Sequence, residues 1–200
     1  MIAIVDYGMG NLRSAQKAFE YVGLETIITE DKGRLLDSKA IVVPGVGAFY
    51  DAMENIRNKG LDEIIIQEVK KGKPVIGICL GMQLLFERGF EVRQCDGLSL
   101  LKGDILKIPA EVKIPHMGWN QLKSKGEGKL MKGIEEDAYV YFVHSYYAEA
   151  ANPEDVKATT SYGLDIPAIV EQENIFGLQF HPEKSSNVGL KILENFRRVI

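Results

Sequence analysis

The chain has 200 residues, 24 Lys and Arg against 28 Asp and Glu, and a formal net charge of −4. That length suits one domain spanning 1–200 with a sizeable core, and the basic residues are too scattered to form the positive face that nucleic acid requires. No apolar run approaches the ~20 residues of a membrane span. Met1–Asp6 also lacks the basic lead and long apolar centre of a signal peptide. Two cysteines, Cys79 and Cys95, make no disulfide framework, so the expectation is a reduced, cytoplasmic protein without nucleic-acid or membrane partners.

Met1 to Asp6 is nearly continuous in apolar residues, as a buried parallel strand is. It runs into Tyr7-Gly8-Met9-Gly10-Asn11, kept open by two glycines. Leu12, Ala15, Phe19 and Val22 then give a helical stripe closed by Gly23. No third glycine follows at the dinucleotide spacing, so the loop is structural or interfacial and not a nucleotide fingerprint. Leu24–Thr29 predicts a second strand, Glu30–Lys39 a polar connector, and Ala40–Val43 a third strand entering Pro44-Gly45-Val46-Gly47-Ala48-Phe49. Phe49, Met53 and Ile56 begin a helix that breaks at Gly60 and resumes through Leu61, Ile64, Ile65 and Val69. Lys70-Lys71-Gly72-Lys73 places favourable charge at its end.

From Phe90 to Lys132 the periodicity weakens. A loop or small β excursion fits, with a short strand near Ile105–Ile108 and a compact turn at Pro115-His116-Met117-Gly118-Trp119-Asn120. Tyr139–Val143 predicts an aromatic strand, Lys157–Tyr162 and Ala168–Glu171 antiparallel strands, and Ile175–Phe180 a last strand ending at His181-Pro182-Glu183. Ser185 or Ser186 can cap a final helix whose inward stripe is Val188, Ile192, Leu193, Phe196 and Val199. Alternating strands and helices predict an α/β fold with a mixed, mostly parallel sheet covered on both faces. In such sheets ligands gather beyond the carboxyl ends of the strands.

The stretch Lys73–Phe86 carries the chemistry. An apolar run breaks at Gly77-Ile78-Cys79-Leu80-Gly81, after which Leu80, Leu84 and Leu85 fall at helical spacing. This G-x-C-x-G layout is that of a nucleophile elbow with sulfur in place of the serine oxygen. Glycines two places either side remove Cβ atoms that would collide at so sharp a corner. A strained, exposed corner at a helix start favours thiolate. A free cysteine is more often a small buried hydrophobe, and the flanking glycines argue against that here. His181, ending a buried strand, can reach the same sheet edge, with Glu183 placed to orient its imidazole. That completes a nucleophile, base and orienting acid, although each of the two taken alone better suits a strand-end histidine and a solvated charge, and only the elbow tips the reading to a triad. The Leu80 N–H is one oxyanion donor; the glycines around Val46 let the 44–47 loop, through Val46 and Gly47, offer another. No Cys or His spacing resembles a zinc site, and no metal or cofactor is implied.

Gly77-Ile78-Cys79-Leu80-Gly81-Met82-Gln83 with His181-Pro182-Glu183 resembles the class I (triad-type) glutamine amidotransferases over essentially the whole chain, and so implies their flavodoxin-like fold. Asp6–Leu12, Pro44–Phe49, Pro115–Asn120 and His181–Ser185 narrow the resemblance to the glutaminase subunits of imidazole glycerol phosphate synthases. The resemblance implies hydrolysis of L-glutamine through a thioester on Cys79. It gives Gly47, Gln83, Ser145 and Tyr146 to the substrate. Asn11, Trp119, Tyr141 and Lys184 are given to a (β/α)8-barrel cyclase partner that receives the ammonia for histidine biosynthesis, in a heterodimer. Control by that partner is expected through the 44–47 loop, with the Val46 N–H presented only when the synthase is loaded. Three readings compete: a glutaminase subunit serving anthranilate or pyridoxal phosphate synthesis, a non-catalytic binding protein on the same fold, and a small cysteine peptidase.

Overall fold

A computed structural model describes residues 1–200. The first half winds β1 (Ile2–Val5), α1 (Leu12–Tyr21), β2 (Thr26–Thr29), α2 (Lys32–Asp37), β3 (Ile41–Gly45), α3 (Phe49–Asn58), α4 (Leu61–Lys70), β4 (Val75–Cys79) and α5 (Leu80–Leu84). The second half holds β5 (Arg88–Gly89), β6 (Cys95–Asp96), β7 (Gly103–Lys107), β8 (His116–Gln121), β9 (Lys123–Ser124), β10 (Tyr139–His144), β11 (Tyr146–Ala150), β12 (Val156–Ser161), β13 (Asp165–Gln172), β14 (Ile175–Leu178) and α6 (Ser186–Arg197). The main sheet runs β2-β1-β3-β4-β14-β13-β12-β9. Its first five strands are parallel, and β13, β12 and β9 extend it antiparallel. The expected mixed, mostly parallel sheet is therefore present.

Alternation along the strands sends side chains to two cores. Ile2 and Ile4 of β1 join Phe19 of α1 and Ile192, Leu193 and Phe196 of α6 on one face. Ala3 and Val5 join Leu35 of α2, Met53 and Ile56 of α3, and Leu61, Ile65 and Val69 of α4 on the other. A strand buried on both sides must be apolar at successive positions, which is why β1, β3 and β4 read as continuous runs. Edge-on contacts of Phe196 with Phe19 and Phe176, centroids 6.2 and 5.6 Å apart, lock α6 down. No helix is long and apolar enough to cross a membrane.

Three expectations change. The polar connector 30–39 contains α2, opened by the Asp31 carboxylate accepting from the Arg34 N–H. Pro115–Asn120 is not a turn: His116–Gln121 is strand β8. It pairs antiparallel with the aromatic strand β10 in a two-stranded ribbon outside the main sheet. Ser185 and Ser186 make no side-chain cap on α6. The Ser185 hydroxyl instead donates to the His181 carbonyl at 2.6 Å and accepts from the Tyr141 N–H at 3.0 Å, tying ribbon to base.

Candidate active site

Cys79 ends β4 with φ 55° and ψ −113°, a backbone conformation L residues rarely hold, which costs about 1–3 kcal/mol. Pairing on both sides maintains it: Gly45 of β3 lies opposite Cys79, and Leu178 of β14 opposite Ile78. The flanking glycines are required by contact. A Cβ on Gly77 would sit 2.5 Å from the Gly81 carbonyl oxygen, and one on Gly81 would sit 1.7 Å from that of Val43. The expected exposed corner is instead buried, with Cys79 only 6% accessible at the floor of a cavity of about 330 Å³. The sulfur lies 3.8 Å from the carbonyl of Val143, near the end of β10.

His181 follows β14, the strand beside β4, so residues a hundred positions apart meet at one sheet edge. Its Nδ1 lies 2.8 Å from Glu183 Oε1, and both side chains are 4% exposed. The Pro182–Lys184 turn holds the pair rigid. His181 Nε2 is buried without a hydrogen-bond partner, free for the cavity's chemistry. Burial pulls the imidazole pKa down, but the Cys79 thiol and the Glu183 carboxylate outweigh it and push the group up to about 9. At neutral pH the ring is therefore an imidazolium beside the Cys79 sulfur.

A consequence for stability follows from the sign of that shift. A raised folded-state pKa stabilises fully below the unfolded value near ~6.5 and ceases to do so as pH rises through about 9. The advantage of the native chain over His181→Gln in denaturant unfolding is expected to shrink between pH 7 and pH 10. The loss is on the order of 3 kcal/mol, and a pH-independent difference would contradict it.

Val46, Gly47, Leu80, Gln83, Ser145 and Tyr146 all line the cavity with Cys79 and His181. Gln83 is buried, and its amide nitrogen donates to the Tyr146 carbonyl (2.9 Å) and to Gln179 Oε1 (3.0 Å), so it braces the wall. Val46 is 44% exposed at the mouth and Gly47 has φ +102°. The loop is anchored from below by the buried Tyr7 hydroxyl, which donates to the Pro44 carbonyl at 2.6 Å. Burial, with the nearby Cys79, pushes the Tyr7 phenol up, so it stays a neutral donor. The glycine-rich 7–11 loop thus belongs to the site's support.

Sequence reasoning missed Glu91 and Gln179. Glu91 lines the cavity and accepts from the Phe49 N–H at 2.8 Å, and Gln179 Nε2 lies 4.0 Å from the Cys79 sulfur. Glu91 stands in a stretch with no periodicity, and Gln179 looked like one residue of a strand. Asn11, Trp119, Tyr141 and Lys184 lie outside the cavity. Trp119 and Tyr141 are cross-strand partners with rings edge-on at 6.1 Å, and Lys184 Nζ stands 5.8 Å over the Tyr141 ring. Asn11 opens α1, the helix that packs against the Pro182–Lys184 turn. With Met117 and Tyr139, Trp119 leaves an exposed apolar face on the ribbon.

The family model described as glutamine amidotransferase class-I matches residues 3–199. The chain belongs to the class I glutamine amidotransferases. It is 50% identical over 200 residues to the imidazole glycerol phosphate synthase subunit HisH of Bacillus mycoides (strain KBAB4), covering all of this chain and 95% of that one. Identity and coverage are the same for the subunit of that name from Bacillus thuringiensis (strain Al Hakam). Among solved structures, PurLQS from Thermotoga maritima aligns with a TM-score of 0.78 at 22% identity, over 98% of this chain and 97% of its own. A crystal structure of a glutamine amidotransferase aligns with a TM-score of 0.77 at 21% identity, over 98% of this chain and all of its own. These last two share this chain's fold.

Proposed function

We propose that this chain is the glutaminase subunit of an imidazole glycerol phosphate synthase, releasing ammonia from L-glutamine and passing it to a (β/α)8-barrel cyclase. The observation that carries the proposal is the convergence of Cys79 and His181 on one cavity, with Glu183 on the far nitrogen of the imidazole, in a chain half identical to subunits of that name. The Cys79 sulfur attacks the side-chain amide carbon. His181 gives its proton to the departing nitrogen, leaving a γ-glutamyl thioester and ammonia. The neutral imidazole then takes a proton from water, which attacks the thioester carbonyl, and glutamate leaves as the thiol is restored. Glu183 orients His181 and balances its charge. Leu80 and Val46 supply N–H groups to the oxyanion. Gly47, Gln83, Ser145 and Tyr146 hold the substrate, and the Glu91 carboxylate complements its α-ammonium.

Ammonia released into water is protonated and lost as a nucleophile, so a covered route into a partner is needed. The exposed apolar face around Met117, Trp119 and Tyr139 is where the cyclase docks, with Asn11, Tyr141 and Lys184 beside it. The cyclase joins the ammonia to its phosphoribulosyl aminoimidazole-carboxamide ribonucleotide, giving imidazole glycerol phosphate and the purine intermediate in histidine biosynthesis.

Glutamate release is measured with and without a barrel cyclase and its nucleotide. Strong stimulation by the loaded partner is expected, and no release from the complex would overturn the proposal. Stimulation works through the 44–47 loop, which offers the Val46 N–H when the partner is loaded. Val46→Pro, lacking that donor, is therefore expected to lower stimulated turnover ~10²–10³-fold and to affect unstimulated turnover far less. Equal losses in both states would sink the loop's role.

A further inference from the structure

A chain of hydrogen bonds runs from the exposed ribbon into the cavity wall, and backbone groups fix its direction at both ends. At the inner end, His144 Nδ1 lies 2.8 Å from the Tyr146 carbonyl, which can only accept. Nδ1 therefore carries the proton, and a neutral ring leaves Nε2 bare. That Nε2 lies 3.0 Å from His116 Nδ1, which must donate to it, leaving His116 Nε2 bare in turn. At the outer end, the Asn120 amide is oriented independently. Its oxygen accepts from the Gln121 N–H at 2.8 Å, and its nitrogen donates to the Ser161 carbonyl at 3.1 Å. The group it presents to His116 Nε2, 3.2 Å away, is thus the NH2. The polarity deduced from one end is the polarity deduced from the other.

Both imidazoles are buried. Burial pushes the His116 pKa down to about 4, and burial, against the opposing hydrogen bond to the Tyr146 carbonyl, pushes that of His144 down to about 3. The His116 ring is clamped between Phe142 and Tyr162, with centroids 4.7 and 4.0 Å away and planes 22° from parallel in both cases. Beyond the relay, the Tyr146 carbonyl also accepts from Gln83, whose amide continues to Gln179 beside the Cys79 sulfur. At the other end, Met117 and Trp119 alternate with His116 and Asn120 on β8 and face outward.

We propose that Asn120, His116 and His144 form a relay of fixed tautomers that positions the Ser145–Tyr146 wall of the cavity and ties it to the exposed ribbon face. His116 and Asn120 lie outside the cavity and act through His144, so they are positioning residues. The identity of the ligand rests on the glutaminase reading, whereas the relay does not.

Nitrogen-15 spectra of the histidine-labelled full chain at neutral pH test it directly. Both rings are expected as neutral Nδ1–H tautomers, the form that free histidine disfavours. Either ring found as Nε2–H or as imidazolium overturns the relay. With the cyclase complex and L-glutamine, His116→Phe keeps the aromatic sandwich but breaks both bonds. It is expected to raise KM roughly three- to tenfold, the effect of one lost neutral hydrogen bond at the wall, with kcat falling less. His116→Asn keeps an N–H where Nδ1 stood and is expected to recover most of that loss. A silent His116→Phe, or His116→Asn worse than His116→Phe, would assign His116 to packing alone. A native complex that releases no glutamate overturns the glutaminase reading, while the spectra still decide the relay.

Discussion

Cys79→Ala is expected to cut glutamate release from L-glutamine by at least ~10⁴-fold while leaving the cyclase complex able to consume added ammonia. The asymmetry comes from the position of the sulfur. It is the only thiol lining the cavity, and its removal leaves the hydrogen bonds of Gln83, Tyr146 and Glu183 untouched. Labelling by the glutamine analogue diazo-oxo-norleucine should disappear with it. A complex that lost both ammonia- and glutamine-dependent synthesis would point to a structural role for Cys79. Labelling that persisted in the variant would place the reactive thiol elsewhere, with Cys95 the alternative.

Gly81→Ala is expected to cost more than ~4 kcal/mol in denaturant unfolding, or to prevent folding. The added methyl would lie 1.7 Å from the Val43 carbonyl oxygen, inside the main sheet where neither backbone can yield. Separating α5 from β3 would also release the pairing that holds Cys79 at φ 55°. Gly72→Ala is the matched control. It has open space around it and φ +98°, so only local backbone strain of about 1–2 kcal/mol applies. Equal costs at the two positions would refute the argument from contact.

The sequence showed most plainly what is dictated by burial on two sides. β1, β3 and β4 are apolar at every other residue on each face, and their order with α1, α3 and α4 could be read directly. The elbow was legible because glycine has few other reasons to stand at both 77 and 81. The ribbon was not legible, because its binary pattern is inverted. In β8 the inward positions are His116, Gly118 and Asn120, while Met117 and Trp119 point out. A strand whose apolar residues face outward looks like a polar turn when taken alone. Ser185 misled for a related reason: a hydroxyl just before a helix suggests a cap, but this one is engaged by the ribbon and the His181 carbonyl. Glu91 and Gln179 were hidden because only tertiary folding brings them to the cavity.

The pairing of β4 with β14 governs when the thiol becomes dangerous. During synthesis Cys79 leaves the ribosome well before β14, the strand that seats it, and before its imidazole, His181. An unfinished or truncated polypeptide therefore carries a dormant sulfur. Glutamine hydrolysis becomes possible only once β14 has threaded in beside β4 in the middle of the sheet.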